Sequence, residues 1–143
     1  MTKKSVKPKM PPDEYRKMVK QVDLKSIEMD TCTMKARREK LASNMRLDVR
    51  HKTSYEIEED STATVISDYE LVATKNTKKE YAVKIGAVYR VILASESPFS
   101  DDFMSIYAEL NVHVNTWPYF REFVQDMIQR ACLPPLTLPF LRS

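Results

Sequence analysis

A helix with marked ends is encoded by Trp117-Pro-Tyr-Phe-Arg-Glu-Phe-Val-Gln-Asp-Met-Ile-Gln-Arg-Ala-Cys-Leu-Pro-Pro-Leu-Thr-Leu138. Thr116 is the expected N-cap, and Pro118 falls in the first turn, where a missing N–H removes no intrahelical hydrogen bond. Apolar residues recur at helical spacing and predict one buried face, formed by Tyr119, Phe120, Phe123, Val124, Met127, Ile128 and Ala131. Pro134-Pro135 ends the helix, because a residue before proline disfavours the helical conformation. The pattern predicts a final helix that covers a sheet.

Four strand-like segments precede this helix. The first covers about residues 22–36, and its apolar residues change parity midway, which indicates a bulge or a bend. The other three cover about residues 45–58, 62–74 and 80–94 and alternate apolar with polar side chains. Short turns join these three, which favours an antiparallel meander.

Shorter helical segments flank the strands. One is predicted over residues 12–21, and another follows Ser100, an expected N-cap with two aspartates in the first turn behind it. Strands followed by helices predict an α+β fold, a four-stranded antiparallel meander with two C-terminal helices on one face. Residues 1–11 are expected to be a disordered basic tail, and residues 12–143 a single domain. Apolar residues on the outer sheet face indicate subunit pairing, face to face or edge to edge.

The composition argues against several function classes. Gly86 is the only glycine, so glycine-rich phosphate loops, ATP hydrolysis and Rossmann-type cofactor binding are not expected. His51 and His113 lack metal-ligand spacing, as do Cys32 and Cys132, which are expected to be reduced. No nucleophile with a base is visible, so we expect no enzyme activity, no catalytic residue, no cofactor and no metal.

The distribution of charge leaves one alternative open. Residues 1–52 hold 15 Lys/Arg against 7 Asp/Glu, and residues 53–143 hold 8 against 13. A basic half can indicate a nucleic-acid-binding module, which would need aromatic residues among the cations of an exposed strand face. The outer face of the second strand has Arg46, Arg50 and Lys52 but no aromatic residue, so nucleic acid is not the expected partner. The chain has neither a bilayer-length apolar run nor a secretory h-region, so we expect a cytoplasmic protein without direct membrane insertion.

With its elements in this order, the chain resembles the SecB chaperone family. The last helix of that family typically opens with an aromatic residue, Pro, Tyr, a small residue, Arg and Glu, and it closes with Arg, two variable residues, an apolar residue, Pro, another residue, Leu, a polar residue and Leu. The matching positions are Trp117, Pro118, Tyr119, Arg121, Glu122, Arg130, Pro134, Leu136 and Leu138. The segment Asp23-Leu-Lys-Ser-Ile-Glu28 also resembles the first-strand signature of the family.

The resemblance implies a homotetramer, a dimer of dimers, that works without nucleotide or catalytic residues. It implies an ATP-independent holdase that binds unfolded or nascent polypeptides in apolar grooves and passes them to SecA for protein export and translocation. The family's groove is lined by the connection after the first strand, the start of the second strand and the last helix. Carried onto this chain, that lining comprises Met34, Leu41, Met45, Leu47, Phe123, Met127 and Leu133. Core packing is the alternative for the helix residues, and the eight methionines suit a surface that repacks against varied segments.

The chain also departs from the export-dedicated members of the family. Those are usually acidic and contact SecA through acidic residues of the sheet, positions that Asp23 and Glu28 occupy here only approximately. The net charge is instead +3, and the sequence stops at Ser143, without the tail usual after the final Leu-x-Leu. These features resemble the divergent SecB-like chaperones, some of which protect the antitoxin of a toxin–antitoxin pair.

Overall fold

Four antiparallel strands and three α-helices make up the part of the chain that the structure, a computed structural model, describes: residues 10–43, 45–59, 61–75 and 80–135. In chain order they are α1 (Pro12–Val19), β1 (Val22–Ala36), a 3₁₀ turn (Arg38–Lys40), β2 (Met45–Glu59), β3 (Thr62–Lys75), β4 (Tyr81–Ser95), α2 (Asp101–Glu109) and α3 (Asn111–Arg130). The predicted α+β class is confirmed, with α2 and α3 on one face of the sheet. Of the predicted basic tail, residues 1–9 lie outside the described residues.

The strand order in the sheet is β1-β4-β3-β2. The meander therefore runs only through β2, β3 and β4, and β1 joins it beside β4, which corrects the four-stranded meander expected from the sequence. The connection after β1 is too long for a tight hairpin and crosses the ends of β4 and β3, about 14 Å at three strand spacings. This crossover makes β1 and β2 the two edge strands.

Register shifts in β1 keep its apolar residues on the helix-bearing face. They occur between Leu24 and Ser26 and between Met29 and Thr31, which confirms the predicted irregularity. Each shift changes the parity of the strand. As a result Leu24, Met29 and Met34 lie opposite the inward-facing residues of β4.

The core consists of two apolar clusters on the same sheet face. The α3 cluster lies beneath α3 and contains Tyr69, Leu71, Ala73, Ala82, Val83, Ile85, Ala87, Tyr89, Trp117, Phe120, Val124, Ile128 and Leu133. The α2 cluster contains Ala63, Val65, Val91, Leu93, Phe99, Phe103, Met104, Tyr107, Ala108 and Val112, with α1 packed against it. Tyr15 anchors α1 by donating a hydrogen bond to Asn111 Oδ1 (2.6 Å).

Helix α3 begins earlier than its sequence signals predict. It starts at Asn111, so Pro118 lies inside the helix and Thr116 is not its N-cap. Pro118 is exposed, and the carbonyl that its missing N–H leaves free belongs to Val114, which is also exposed and can bind water. Water on this face removes much of the cost of an internal proline.

The C-terminus of α3 closes with a Schellman motif. Leu133 N–H donates to the Ile128 carbonyl (3.1 Å), and Cys132 N–H donates to the Gln129 carbonyl (3.0 Å). Cys132 takes the left-handed conformation, φ 56°, that glycine usually provides at this position. The motif turns the chain back, so that Leu133 packs into the α3 cluster just before the two prolines.

Candidate polypeptide-binding site

The buried face of α3 fixes the helix on the middle of the sheet. Phe120, Val124 and Ile128, one helical turn apart, are buried against β3 and β4. The Phe120 ring stacks on the Tyr69 ring at a centroid distance of 4.8 Å and an angle of 11°. Because this face is fully used in packing, only the two flanks of α3 can offer apolar side chains to a partner.

A buried polar network holds the N-terminal half of α3 to β3. Thr116 Oγ1 donates to the Val112 carbonyl (2.8 Å), so this oxygen can only accept from its other two neighbours. Those are the Tyr69 hydroxyl at 2.8 Å and the Ser67 hydroxyl at 3.1 Å. Ser67 Oγ in turn lies 2.7 Å from His51 Nε2. The network explains why polar Ser67 and Thr116 are fully buried.

A stacked pair of histidines joins α3 to the edge strand β2. The rings of His51 and His113 lie 4.3 Å apart, and His113 Nδ1 is 2.7 Å from the Tyr69 hydroxyl. Burial lowers the pKa of His51 to about 4, with a further contribution from His113. Burial also lowers the pKa of His113. Both rings are therefore neutral near pH 7 and serve as packing and hydrogen-bonding groups.

An open groove of about 400 Å³ runs along the flank of α3 that faces β1. Its lining comprises Ile27, Met29, Tyr89, Tyr119, Glu122, Phe123 and Asp126. The Tyr89 hydroxyl is buried, and within the described chain it has no hydrogen-bond partner. Burial is the main reason that the pKa of Tyr89 is raised. The groove thus combines apolar walls, two carboxylates and one unsatisfied hydroxyl.

Sequence reasoning found only Phe123 in this groove. It assigned Tyr119 to the buried face of the helix, but Tyr119 is 51% exposed and lies at the flank of α3, with its ring against the edge of the Tyr89 ring. Met29, 43% exposed, lies on the helix-bearing face because of the first register shift of β1, between Leu24 and Ser26. The change of parity among the apolar residues of β1 was the available signal.

The predicted lining residues at the crossover end of the sheet, together with Phe123, pack against the α3 cluster. Met34, Leu41, Met45, Phe123 and Met127 are all partly buried against the α3 cluster. Leu133 is buried within the same cluster. The structure therefore brings six of the seven predicted residues to one apolar cluster. Five of the six are half-buried at the margin of this cluster, and Leu133 is buried inside it.

Polar contacts hold the crossover between β1 and β2 to β4, to the residue before β4 and to the C-terminus of α3. Arg37 N–H donates to the Ala82 carbonyl (2.7 Å), Arg38 donates to the Ala131 carbonyl at the C-terminus of α3, and Lys40 pairs with Glu80. A cation suits the negative end of a helix dipole. These contacts place Leu41 next to the α3 cluster.

Leu47, the seventh predicted residue, lies apart from that margin. It is on the helix-bearing face of β2 and 39% exposed, as is Val49 two residues further along. Helix α3 does not cover β2 at these positions. The inward face of this edge strand is therefore an open apolar surface beside the crossover.

Known proteins resemble this chain in structure and not in sequence. No protein-family model matches the chain, and no curated protein matches its sequence. Among solved structures, the Mycobacterium tuberculosis SecB-like chaperone Rv1957, in complex with a ChAD peptide from the Rv1956 HigA1 antitoxin, superposes with a TM-score of 0.74. The alignment covers 88% of this chain and 95% of that one, at 19% identity.

The fold is that of a SecB-like chaperone.

At 19% identity the likeness shows the fold alone. It confirms, for the fold, the SecB-like resemblance predicted from the sequence. A protein of unknown function from Streptococcus agalactiae also aligns, with a TM-score of 0.48 and 12% identity over 84% of this chain and 98% of its own.

The helix motif that suggested the SecB-like fold has a structural role at several positions. Trp117 is buried in the α3 cluster, and Arg130 Nε donates to the Asp126 carboxylate one turn earlier (3.0 Å). Tyr119 and Glu122 line the groove beside β1, with Pro118 exposed and Arg121 partly buried. Pro134 follows the Schellman motif. Leu136 and Leu138, the last two motif positions, lie outside the described residues.

The residues predicted to contact SecA, Asp23 and Glu28, lie in the first half of β1, and both are exposed. Asp23 pairs with Lys25 (2.9 Å), and Glu28 accepts a hydrogen bond from Ser26 (3.1 Å). Glu28 also lies directly opposite Arg90 of β4. In the SecB-like fold of this chain, both acidic side chains are thus accessible but already have cationic or polar neighbours.

Two further observations concern the described residues only. The described residues hold no group of three or more His, Cys, Asp or Glu side chains placed to bind a metal ion. None of their helices has the length and apolar character needed to cross a membrane.

Proposed function

We propose that this protein is an ATP-independent holdase chaperone that binds unfolded polypeptide segments on the apolar margins of α3. The observation that carries the proposal is the margin of the α3 cluster, where Met34, Leu41, Met45, Phe123 and Met127 are half-buried on a rigid support. Partly exposed apolar groups next to a packed core gain free energy by further burial, at about 25 cal/mol per Å². Such a surface needs no nucleotide and no catalytic group.

The chemistry of this margin suits varied clients. Three of the five residues are methionines, whose flexible thioether chains adapt to different partners at low cost. Exposed Leu47 and Val49 extend the surface along β2, and the groove beside β1 extends it on the opposite flank. An extended segment that crosses these regions would meet apolar side chains along most of its length.

Within this class, we favour an antitoxin as the client. The Mycobacterium tuberculosis SecB-like chaperone Rv1957, which has a similar fold, was solved with a peptide of the HigA1 antitoxin. The net charge of +3 also departs from the acidic character expected of an export-dedicated SecB protein. The proposed role is to stabilise an antitoxin encoded near this chain against aggregation and degradation in the cytoplasm.

Export through SecA is the second candidate, because Asp23 and Glu28 are both exposed on β1. A homotetramer is proposed for either role. Both edge strands, β1 and β2, offer unpaired backbone groups that a second copy could use. Sedimentation velocity of the purified chain measures the assembly directly.

Suppression of aggregation tests the holdase proposal. A urea-denatured test protein is diluted into buffer without nucleotide, and light scattering is followed with and without an equimolar amount of this protein. Suppression by the wild type that Leu47→Asp and Met127→Asp weaken supports the proposal. Leu110→Asp is the matched control, since Leu110 is 58% exposed and precedes α3, whose 20 residues separate it by about 30 Å from the crossover end. A folded wild type that leaves scattering unchanged would overturn the proposal.

Co-expression separates the two client roles. If the antitoxin role holds, the neighbouring antitoxin accumulates in soluble form only with this chain, and Met127→Asp abolishes the effect. Retention of purified SecA by the immobilised chain, lost in Glu28→Lys, would favour export instead.

A further inference from the structure

Three cations converge on the sheet face opposite α3, at the end where β1 enters the crossover. Lys35 of β1 lies directly opposite Lys84 of β4. Lys84 alternates with buried Val83 and Ile85, so it points away from the α3 cluster. Arg37 follows two residues after Lys35. We call Lys35, Arg37 and Lys84 the outer cation cluster.

An aromatic ring draws two of these cations together. The Arg37 guanidinium lies 4.1 Å and the Lys84 ammonium 4.5 Å from the centroid of the Tyr81 ring. Each contact is a cation–π interaction. The ring therefore positions cations that would otherwise separate.

The outer cation cluster lacks neutralising carboxylates. Lys35 and Lys84 are like charges directly opposite one another, an arrangement that destabilises a sheet. An ion pair would offset this cost, but within the described residues none of the three cations forms one. Nearby carboxylates have other cationic partners: Glu80 pairs with Lys40, and Asp48 pairs with Arg46 at 3.4 Å. Among the residues that the structure describes, the cluster is thus a preorganised positive surface whose cations form no ion pair.

We propose that the outer cation cluster is a docking surface for an acidic segment of a partner protein. Lys35 and Arg37 are exposed and Lys84 is half-buried, so carboxylates can approach all three from solvent. The cluster lies on the opposite sheet face from the apolar margins of α3. Docking there leaves the client surface free, and the proposal does not depend on the proposed chaperone function.

The surroundings favour an acidic peptide over nucleic acid. Tyr81 already carries two cations, so its ring is not free to stack a base. Glu70 and Asp48 share this sheet face and would repel a continuous phosphate backbone. A peptide can place separate carboxylates opposite Lys35, Arg37 and Lys84 and avoid those positions.

Fluorescence anisotropy tests the proposal with the full chain. The probe is a fluorescein-labelled dodecapeptide of alternating glutamate and serine, measured at 50 mM NaCl beside a lysine–serine peptide of equal length and a single-stranded oligo-dT. The triple variant Lys35→Ser, Arg37→Ser, Lys84→Ser removes the cluster and keeps Tyr81. Its matched control, Lys17→Ser, Lys20→Ser, Lys52→Ser, removes three exposed cations elsewhere.

We expect the wild type to bind the acidic peptide. The affinity should fall about tenfold in the cluster variant and less than about twofold in the control variant, because the charge contacts are local. Circular dichroism confirms that both variants fold. Equal weakening in the two variants would show a general charge effect and overturn the proposal. So would absence of binding, or tighter binding of oligo-dT through the same three residues.

Discussion

Lowering the pH from 7.5 to 5 is predicted to destabilise the fold through His51. Burial between β2 and α3 lowers the pKa of this imidazole from 6.5 to about 4, and His113 contributes as well. Between these pKa values the unfolded chain binds a proton at His51 and the folded chain does not. The free energy of unfolding therefore keeps its full value above pH 6.5 and decreases as the pH falls from 6.5 toward 4.

The two pKa values set the size of the effect. For a group fully shielded from solvent, a pKa of 6.5 in the unfolded chain and about 4 in the folded chain lowers the free energy of unfolding by about 2 kcal/mol at pH 5. Solvent reaches part of the His51 ring and screens the charge, which reduces the expected loss to roughly 1 kcal/mol. A loss of this size is a large fraction of the stability of a small domain.

Urea unfolding at the two pH values measures the loss. The control is His51→Phe, which keeps a ring against Tyr69 and His113 and removes the titrating group. Ser67 keeps its hydrogen bond to Thr116 in this variant. Wild type should lose about 1 kcal/mol more than His51→Phe between pH 7.5 and 5. Equal losses in both proteins would refute the assignment of acid sensitivity to His51.

Three substitutions test the packing and backbone of the fold, each by urea unfolding. Cys132→Gly should stabilise the protein by about 0.5–1 kcal/mol, because glycine adopts the left-handed φ of 56° without steric cost, and no gain would contradict the Schellman assignment. Leu71→Ala should cost about 2–5 kcal/mol, since Leu71 is fully buried in the α3 cluster; a cost below about 1 kcal/mol would contradict that placement. Gly86→Ala should cost up to about 1 kcal/mol, because its Cβ would lie 2.9 Å from Thr33 Oγ1, and Thr33→Ala should restore the loss; an unrestored loss would place the strain elsewhere.

The strands of the meander could be predicted from the sequence because their pattern has a period of two. The bounds of β2, β3 and β4 differ from the predicted ones by at most one residue at either end. Alternation is decisive here because one face is covered by helices and the other is open to water. The same alternation cannot say which strands pair, so the position of β1 beside β4 was not predictable from it.

The start of α3 shows where local signals mislead. Thr116 and Pro118 together resemble a helix N-terminus, but tertiary contacts extend the helix back to Asn111. Thr116 is needed in the buried network with Tyr69, and Pro118 lies on the exposed side, where its missing N–H costs little. Neither fact is visible without the packing of the helix on the sheet.

Part of the candidate site followed from the family resemblance. Met34, Leu41 and Met45 belong to the end of β1, the crossover and the start of β2, and packing against the α3 cluster brings them to one margin with the distant Met127. Leu47 lies on the neighbouring open face. The groove beside β1 was missed, because it depends on register shifts whose positions an irregular apolar pattern does not define.

Photo-crosslinking from α3 tests the central claim most directly. A photoreactive phenylalanine analogue replaces Met127 at the half-buried margin, or Leu110 at the opposite end of the helix, and each protein is irradiated with a reduced and alkylated, permanently unfolded test protein. The account predicts crosslinks from position 127, competed by unlabelled unfolded protein, and few from position 110. Equal crosslinking at both positions, or none at 127 in a folded protein, would contradict binding of unfolded segments on the margins of α3.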